Sequence, residues 1–118
     1  MRAAFLNMPD TPVRLAVYEW SGPTDHAIIL PWTDITTETV LQTAISTLNA
    51  HTRTPLDPST AIGEALLFGA SLLNDTKCWV KTLDISGDGK SNTGRPPKPI
   101  AQELSRSIAI NALIIAPD

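Results

Sequence analysis

The strongest constraint on the fold is a strand–helix–strand pattern near the C-terminal end. Lys77–Ser86 is rich in β-forming residues, and Ile110–Ala116 is nearly all apolar, as in a strand buried on both faces. Between them, apolar residues of Ile100–Ala109 recur at helical spacing, and the prolines of "RPPKP" should delay that helix until about Pro99. Because such a connection requires parallel strands, the sequence predicts an α/β layered domain.

The first part of the sequence predicts a pair of strands. Val13–Trp20 and His26–Trp32 have β-rich composition and are joined by "SGPTD", a connection so short that the strands should be antiparallel. Pro31 has no N–H to donate to a neighbouring strand, so the second strand is expected at a sheet edge.

Two helices are predicted in the middle of the chain. Glu38–Ala50 has a one-sided apolar stripe, with Thr36 or Thr37 available as its N-cap. Thr60–Asp75 repeats apolar residues at spacings of three and four, and its glycines, such as Gly63, are explained by close packing on a neighbour. The predicted order is therefore β-β-α-α-β-α-β.

Composition excludes several classes of protein. The 118 residues are 42% hydrophobic and 18% charged, which is typical of one soluble domain spanning residues 1–118. A net charge of −3 without a basic stripe argues against nucleic acid as a partner. The single cysteine, Cys78, cannot form an internal disulfide and is expected to be a core thiol. No apolar run reaches the roughly 18 residues of a membrane span, and no signal peptide is evident, so no cellular compartment is assigned.

The segment Thr82–Pro96, "TLDISGDGKSNTGRP", contains the most chemically suggestive residues. A nucleotide-binding P-loop would need a glycine where Asp84 stands, five positions before Gly89. The first half of a calcium-binding EF-hand loop fits at Asp84, Ser86, Asp88 and Gly89. Its last ligand position is Arg95, which cannot bind a cation, and no amphipathic helix precedes the loop. Both interpretations are rejected.

What remains is a polar turn at the end of a strand, with Ser86, Asp88 and Asn92 at its mouth. Chemistry in α/β sheets collects at the carboxyl ends of strands. The segment Asp57–Thr60 opens a helix that should lead toward the same edge.

Several quoted segments together resemble a known family. The segments "EWSGP", "ILPWTDI", "STAIGEAL", "DISGDGKSNTGRP" and "INALII" look like those of a bacterial family of von Willebrand factor type A-like proteins of unknown function. The resemblance covers nearly all of residues 13–115. It implies a doubly wound, mostly parallel sheet with an antiparallel edge strand.

The resemblance also implies a metal-ion-dependent adhesion site. In that family an Asp-x-Ser-x-Ser loop, a threonine and an aspartate before glycine hold a divalent ion, and the last two correspond to Thr60 and Asp88. Mg²⁺ or Mn²⁺ is the implied ion, because hard cations prefer oxygen ligands. Purely structural roles remain open as well: an N-cap for Thr60 and an Asx turn for Asp88. This sequence has no Asp-x-Ser-x-Ser loop, so metal binding is expected to be weak or absent.

The resemblance further implies that the domain is truncated at both ends. The family's strand order resembles 3-2-1-4-5-6, and the strand that would come first, at the centre, is not present. Val13–Trp20 and Cys78–Ser86 would then border an empty position. Unpaired strand edges invite pairing, so we expect self-association or a partner chain that supplies the strand.

Two classes of function follow. The first is a non-enzymatic protein-interaction domain assisted by a metal ion, with an unidentified protein partner. The alternative is a hydrolase or phosphoryl-transfer enzyme on a generic α/β sheet, for which a Gly-x-Ser-x-Gly elbow would be evidence; none is present. Glu19 and Asp84 could form a carboxylate pair, but no spacing supports it.

The remaining candidates are assigned structural roles. Arg95 is predicted to pair with Asp84 or Asp88 and so hold the turn. His26 and His51 lack a spacing that indicates a metal pair. Packing at strand ends is the favoured role of the tryptophans, Trp20, Trp32 and Trp79.

Overall fold

A computed structural model describes residues 13–52, 59–74, 76–78, 80–87 and 91–114, with side chains to residue 111. The described elements follow the predicted order β-β-α-α-β-α-β. They are β1 Val13–Ser21, β2 Asp25–Ile35, α1 Glu38–Ala50, α2 Ile62–Asn74, β3 Thr82–Gly87, α3 Pro97–Leu104 and β4 Ala109–Ile114.

The chain divides into two compact units. Of the described residues, 13–19 and 27–52 belong to the first unit, and 20–26 and those from 59 to 114 belong to the second. The described strands form two two-stranded sheets, an antiparallel one of β1 and β2 and a parallel one of β3 and β4. The α/β class is therefore confirmed, whereas the doubly wound sheet stays a prediction.

The antiparallel pair agrees with the sequence pattern. β2 is longer than predicted, since it extends to Ile35 rather than ending at Trp32. Gly22, in the turn between the strands, has a φ of 57°, a left-handed conformation that favours glycine. Pro31 lies within β2. In a two-stranded sheet, one edge of β2 has no neighbouring strand, and a proline there breaks no hydrogen bond of the sheet.

The first unit has an apolar core shared by β2 and α1. Its buried members are Leu30, Ile35, Leu41 and Ala44, with Leu15, Val17, Val40, Ile45 and Leu48 packed against them. Of the two candidate N-caps, Thr37 is the one used, because its hydroxyl accepts the Val40 N–H at 3.2 Å. The helix bounds predicted for α1 are confirmed.

The second unit is built around α2, which packs against α3 and β3. Buried apolar side chains come from all parts of it: Ala61, Ala65, Leu66, Ala70, Leu73, Leu83, Ile85 and Ile108. In the parallel ladder, Leu83 stands opposite Ile110 and Asp84 opposite Asn111. Leu83 and Ile85 are buried while Asp84 is exposed, so β3 buries one face.

The third strand is shorter than its sequence pattern indicates. It begins at Thr82, not at Lys77, and Cys78 is a half-buried residue before the strand rather than within it. β3 begins at Thr82 because Thr82 pairs with Ala109, the first residue of β4. The chain before Ala109 forms turns, so it offers no strand with which the residues before Thr82 could pair. Val80, which the pattern placed in the strand, is 83% exposed.

The third helix begins earlier and ends earlier than predicted. It starts at Pro97 rather than near Pro99, because a helix's first N–H groups have no intrahelical acceptor and proline there loses nothing. It ends at Leu104, so Ile108 is not on the helix. Ile108 is instead buried just before β4, with its N–H donated to the Leu104 carbonyl at 3.0 Å.

None of the described helices has the length and apolar character needed to cross a membrane.

Replacing Leu41 by alanine should destabilise the first unit more than any surface change. Leu41 is 1% exposed, and removing such a side chain costs about 2–5 kcal/mol in lost burial and cavity formation. Urea unfolding followed by circular dichroism measures the loss. Ser46→Ala, an exposed position of the same helix, is the control and should change stability by less than about 0.5 kcal/mol. Equal effects of the two changes would contradict the assigned core.

Candidate functional site

The polar turn that follows β3 is hydrogen-bonded to Thr60, two residues before the start of α2. The Thr60 N–H donates to the Asn92 Oδ1 at 2.8 Å, and the Asn92 N–H donates to the Thr60 carbonyl at 2.8 Å. The Thr93 N–H also reaches that carbonyl, at 3.3 Å. Both backbone polar groups of Thr60 are therefore fixed by residues 92 and 93.

Ser91 supplies the cap of α2 from a distant part of the sequence. Its Oγ accepts the Ile62 N–H at 3.2 Å and donates to the Thr60 carbonyl at 3.4 Å. Ala61, which directly precedes the helix, has no side-chain oxygen to do this. The N-cap role considered for Thr60 is thus filled by Ser91, and the lack of a capping residue before Ile62 was the signal for it in the sequence.

The end of the turn is held by Glu64, a residue the sequence did not single out. Its Oε1 accepts the Arg95 N–H at 3.1 Å and lies 3.7 Å from the Arg95 Nε. Arg95 therefore pairs with Glu64 rather than with Asp84, which stands opposite Asn111 in the β3–β4 ladder, and the other predicted partner, Asp88, lies outside the described residues. Gly94 has a φ of 72°, which lets the chain turn beside Glu64.

Gly63 allows the turn to approach the helix closely. A Cβ at this position would collide with the Arg95 carbonyl oxygen and lie 3.0 Å from the Ile100 Cδ1. The prediction that Gly63 permits close packing is confirmed. Thr60, Gly63, Glu64 and residues 91–95 form one contact surface, named here the 91–95 turn site.

Thr60 is the predicted metal ligand that the structure describes. It is half-buried, and within the described parts of the chain its hydroxyl takes part in no hydrogen bond. Asp88, the other predicted ligand, lies outside the described residues. Across the described ranges, no three His, Cys, Asp or Glu side chains are grouped closely enough to hold a metal ion.

The two other candidate carboxylates each have a partner. The Glu19 Oε2 lies 3.0 Å from the His51 Nε2, a pair in the first unit that the sequence did not reveal. In the second unit, the Asp84 Oδ1 accepts a hydrogen bond from the Asn111 Nδ2 at 2.9 Å. Both carboxylates are thus engaged within their own units.

The aromatic residues take part in packing contacts. Trp20 lies against Gly87, where an added Cβ would be 3.3 Å from the indole ring. Arg14 lies over the Trp32 ring at 5.6 Å and pairs with Asp34 at 2.7 Å. The structural role predicted for these two tryptophans is consistent with these contacts, whereas Trp79 lies outside the described residues.

His26 is placed in an unexpected contact. Its ring stacks on Phe68 of α2 with centroids 4.7 Å apart, and its Nε2 is buried with no hydrogen-bond partner among the described residues. Burial lowers the pKa of His26 from its ordinary value of 6.5, while the charges of Glu64 and Asp25 oppose that shift.

These features define a small α/β protein in which the polar turn after a parallel strand is bonded to the N-terminal end of a helix. The chain belongs to the family described as "Protein of unknown function (DUF1194)", which matches residues 1–118. No curated protein matches the chain, and no solved structure matches it.

Gly63→Ala should destabilise the protein although alanine is the better helix former. The usual gain of up to about 1 kcal/mol is outweighed by the collision with the Arg95 carbonyl, and such overpacking costs about 1–3 kcal/mol. Urea unfolding tests the sign of the change. The control is Ser71→Ala, at an exposed position of α2, which should be nearly neutral. A more stable Gly63→Ala protein would contradict the close contact.

Asn92→Ala should cost about 0.5–1.5 kcal/mol, because the Thr60 N–H loses its acceptor. Asn92→Asp keeps an oxygen at this position and places a negative charge near the start of a helix, which is favourable. The aspartate variant should therefore retain most of the stability in the same unfolding assay. An equal loss in both variants would show that this hydrogen bond contributes little.

Proposed function

We propose that this protein is a non-enzymatic protein-interaction module of the von Willebrand factor A type, in which a divalent cation near Thr60 assists binding. The observation that carries the proposal is the state of Thr60. Its N–H and its carbonyl are both held by hydrogen bonds to residues 92 and 93. Its hydroxyl has no hydrogen bond in the described residues. A residue whose backbone is held in place, and whose side-chain oxygen has no hydrogen bond, is suited to bind an external group such as a cation.

The residues fit a weak cation site. Mg²⁺ and Mn²⁺ take oxygen ligands, and Mg²⁺ commonly keeps several waters while bound by one or two protein groups. The Thr60 hydroxyl and the Asp88 carboxylate are the groups that would hold the ion. When bound, the ion supplies positive charge that attracts a carboxylate from a partner protein.

The partners of the acidic residues support binding rather than catalysis. General-base chemistry needs a carboxylate or imidazole within reach of the proton that it removes. Glu64 is engaged with Arg95, Asp84 with Asn111, and Glu19 with His51. The Glu19–His51 pair contains an imidazole, but among the described residues no serine, threonine or cysteine side chain is hydrogen-bonded to it as the nucleophile of a hydrolase would be.

The strand edges support a role in association. In the described residues, β1 pairs only with β2 and β3 pairs only with β4, so each has a backbone edge without a strand beside it. A two-stranded parallel sheet is rarely stable by itself. A strand from a partner protein or from a second copy of the chain would pair with such an edge.

Thermal unfolding with and without metal tests the cation. A ligand at about 100 times its Kd adds about 2.7 kcal/mol, which is several degrees for a domain of this size. We expect millimolar Mg²⁺ or Mn²⁺ to raise Tm relative to EDTA. The Thr60→Val variant, which keeps the backbone bonds but lacks the hydroxyl, should lose this shift, as should Asp88→Ala.

Thr60→Ser is the matched control, because it retains the hydroxyl and should keep most of the metal-dependent shift. No shift in the unmodified protein would remove the cation from the proposal. A shift that Thr60→Val and Thr60→Ser preserve equally would place the ion elsewhere.

A further inference from the structure

Three contacts between described residues attach the hairpin tip, residues 20–26, to the rest of the second unit. The Gly22 N–H donates to the Ser59 carbonyl at 2.8 Å, and Trp20 lies against Gly87 at the end of β3. The third attachment is the His26 ring, stacked on Phe68 at an angle of 26° between the ring planes. Of these three contacts, only the one through His26 involves a group that titrates near neutral pH.

The stacking contact suits a neutral imidazole. A neutral ring can keep its proton on Nδ1 and leave a lone pair at Nε2, whereas an imidazolium has an N–H at both positions. The His26 Nε2 is buried and has no acceptor among the described residues. Protonation would therefore bury an unpaired, charged donor, and burying such a group is costly.

Among the described residues, the polar groups near His26 do not provide that acceptor. Ser21 is also in the hairpin tip, and its buried Oγ has no hydrogen bond among the described residues either. Glu64 of α2 and Asp25 of β2 favour the charged ring through their fields, but Glu64 is already engaged with Arg95. Desolvation outweighs both carboxylates, so the pKa of His26 is lowered.

We propose that the stacking of His26 on Phe68 is a pH-sensitive latch, which holds the hairpin tip on α2 when the ring is neutral and releases it when the ring is protonated. This device is separate from the proposed cation site, since it depends on the His26 ring rather than on the Thr60 hydroxyl. Acidification then frees the hairpin tip without requiring the whole unit to unfold.

The direction of the pH effect follows from proton linkage. Because the folded-state pKa of His26 is lowered, the folded protein binds fewer protons than the unfolded chain near pH 6.5. The contribution of His26 to stability is fully present above that pH. It is lost as the pH falls from 6.5 through the lower folded-state pKa, and the folding equilibrium constant falls by at most about tenfold per pH unit from one group.

Hydrogen exchange of the Gly22 amide tests the release directly. We expect the protection factor of this amide, corrected for intrinsic exchange, to fall between about pH 7.5 and pH 5.5 in the full chain. His26→Gln keeps a polar side chain that does not titrate, and its Gly22 protection should not vary with pH. His51→Gln, which removes the other histidine, should retain the pH dependence of the unmodified protein.

An NMR titration of the two histidine rings in the unmodified protein provides a second measurement that does not depend on any variant folding. The His26 ring should titrate below 6.5, the ordinary value. A His26 pKa at or above that value would overturn the latch, as would identical pH dependence of Gly22 protection with and without His26.

Discussion

The hydrogen bonds between Thr60 and Asn92 are the contacts on which the second unit depends. They join positions 32 residues apart, so forming them closes a long loop and costs chain entropy. Once closed, this loop fixes where α2 begins and brings Ser91 to its first N–H. It also places Arg95 against Gly63, just ahead of the first turn of α3.

The close contacts and hydrogen bonds within the 91–95 turn site explain why its residues are small or polar. Gly63 admits a backbone carbonyl, Gly94 adopts a left-handed conformation, and Ser91 provides a short side chain with an oxygen that both accepts and donates. A turn that looked like a ligand loop in the sequence therefore uses the side chains of Ser91 and Asn92 for structure. Buried or half-buried polar groups are rarely left without partners, and here the turn and the helix provide them for each other.

Against that background, the Thr60 hydroxyl and the His26 Nε2 are notable among the polar atoms that have no hydrogen bond in the described residues. The Thr60 hydroxyl is half-buried, where it can meet solvent or a ligand, and this is what connects it to binding. The His26 Nε2 is buried against an aromatic ring, where an added proton has no acceptor, and this connects it to pH. Both are single polar atoms without a hydrogen-bond partner in the described residues. The different functions that we propose for them therefore follow from their different surroundings.

The sequence by itself determined the kind and order of the elements, because the spacing of apolar residues reports which local structure can bury one face. It also offered Thr36 and Thr37 as candidate caps, and it indicated the edge position of β2 and the close packing at Gly63. It did not determine where β3 begins, which partner Arg95 takes, or where His26 lies. Those depend on which residues stand opposite one another across some 30 to 40 positions of chain. Only the tertiary structure decided them, because a strand ends where its partner ends and a charge pairs with the nearest available opposite group.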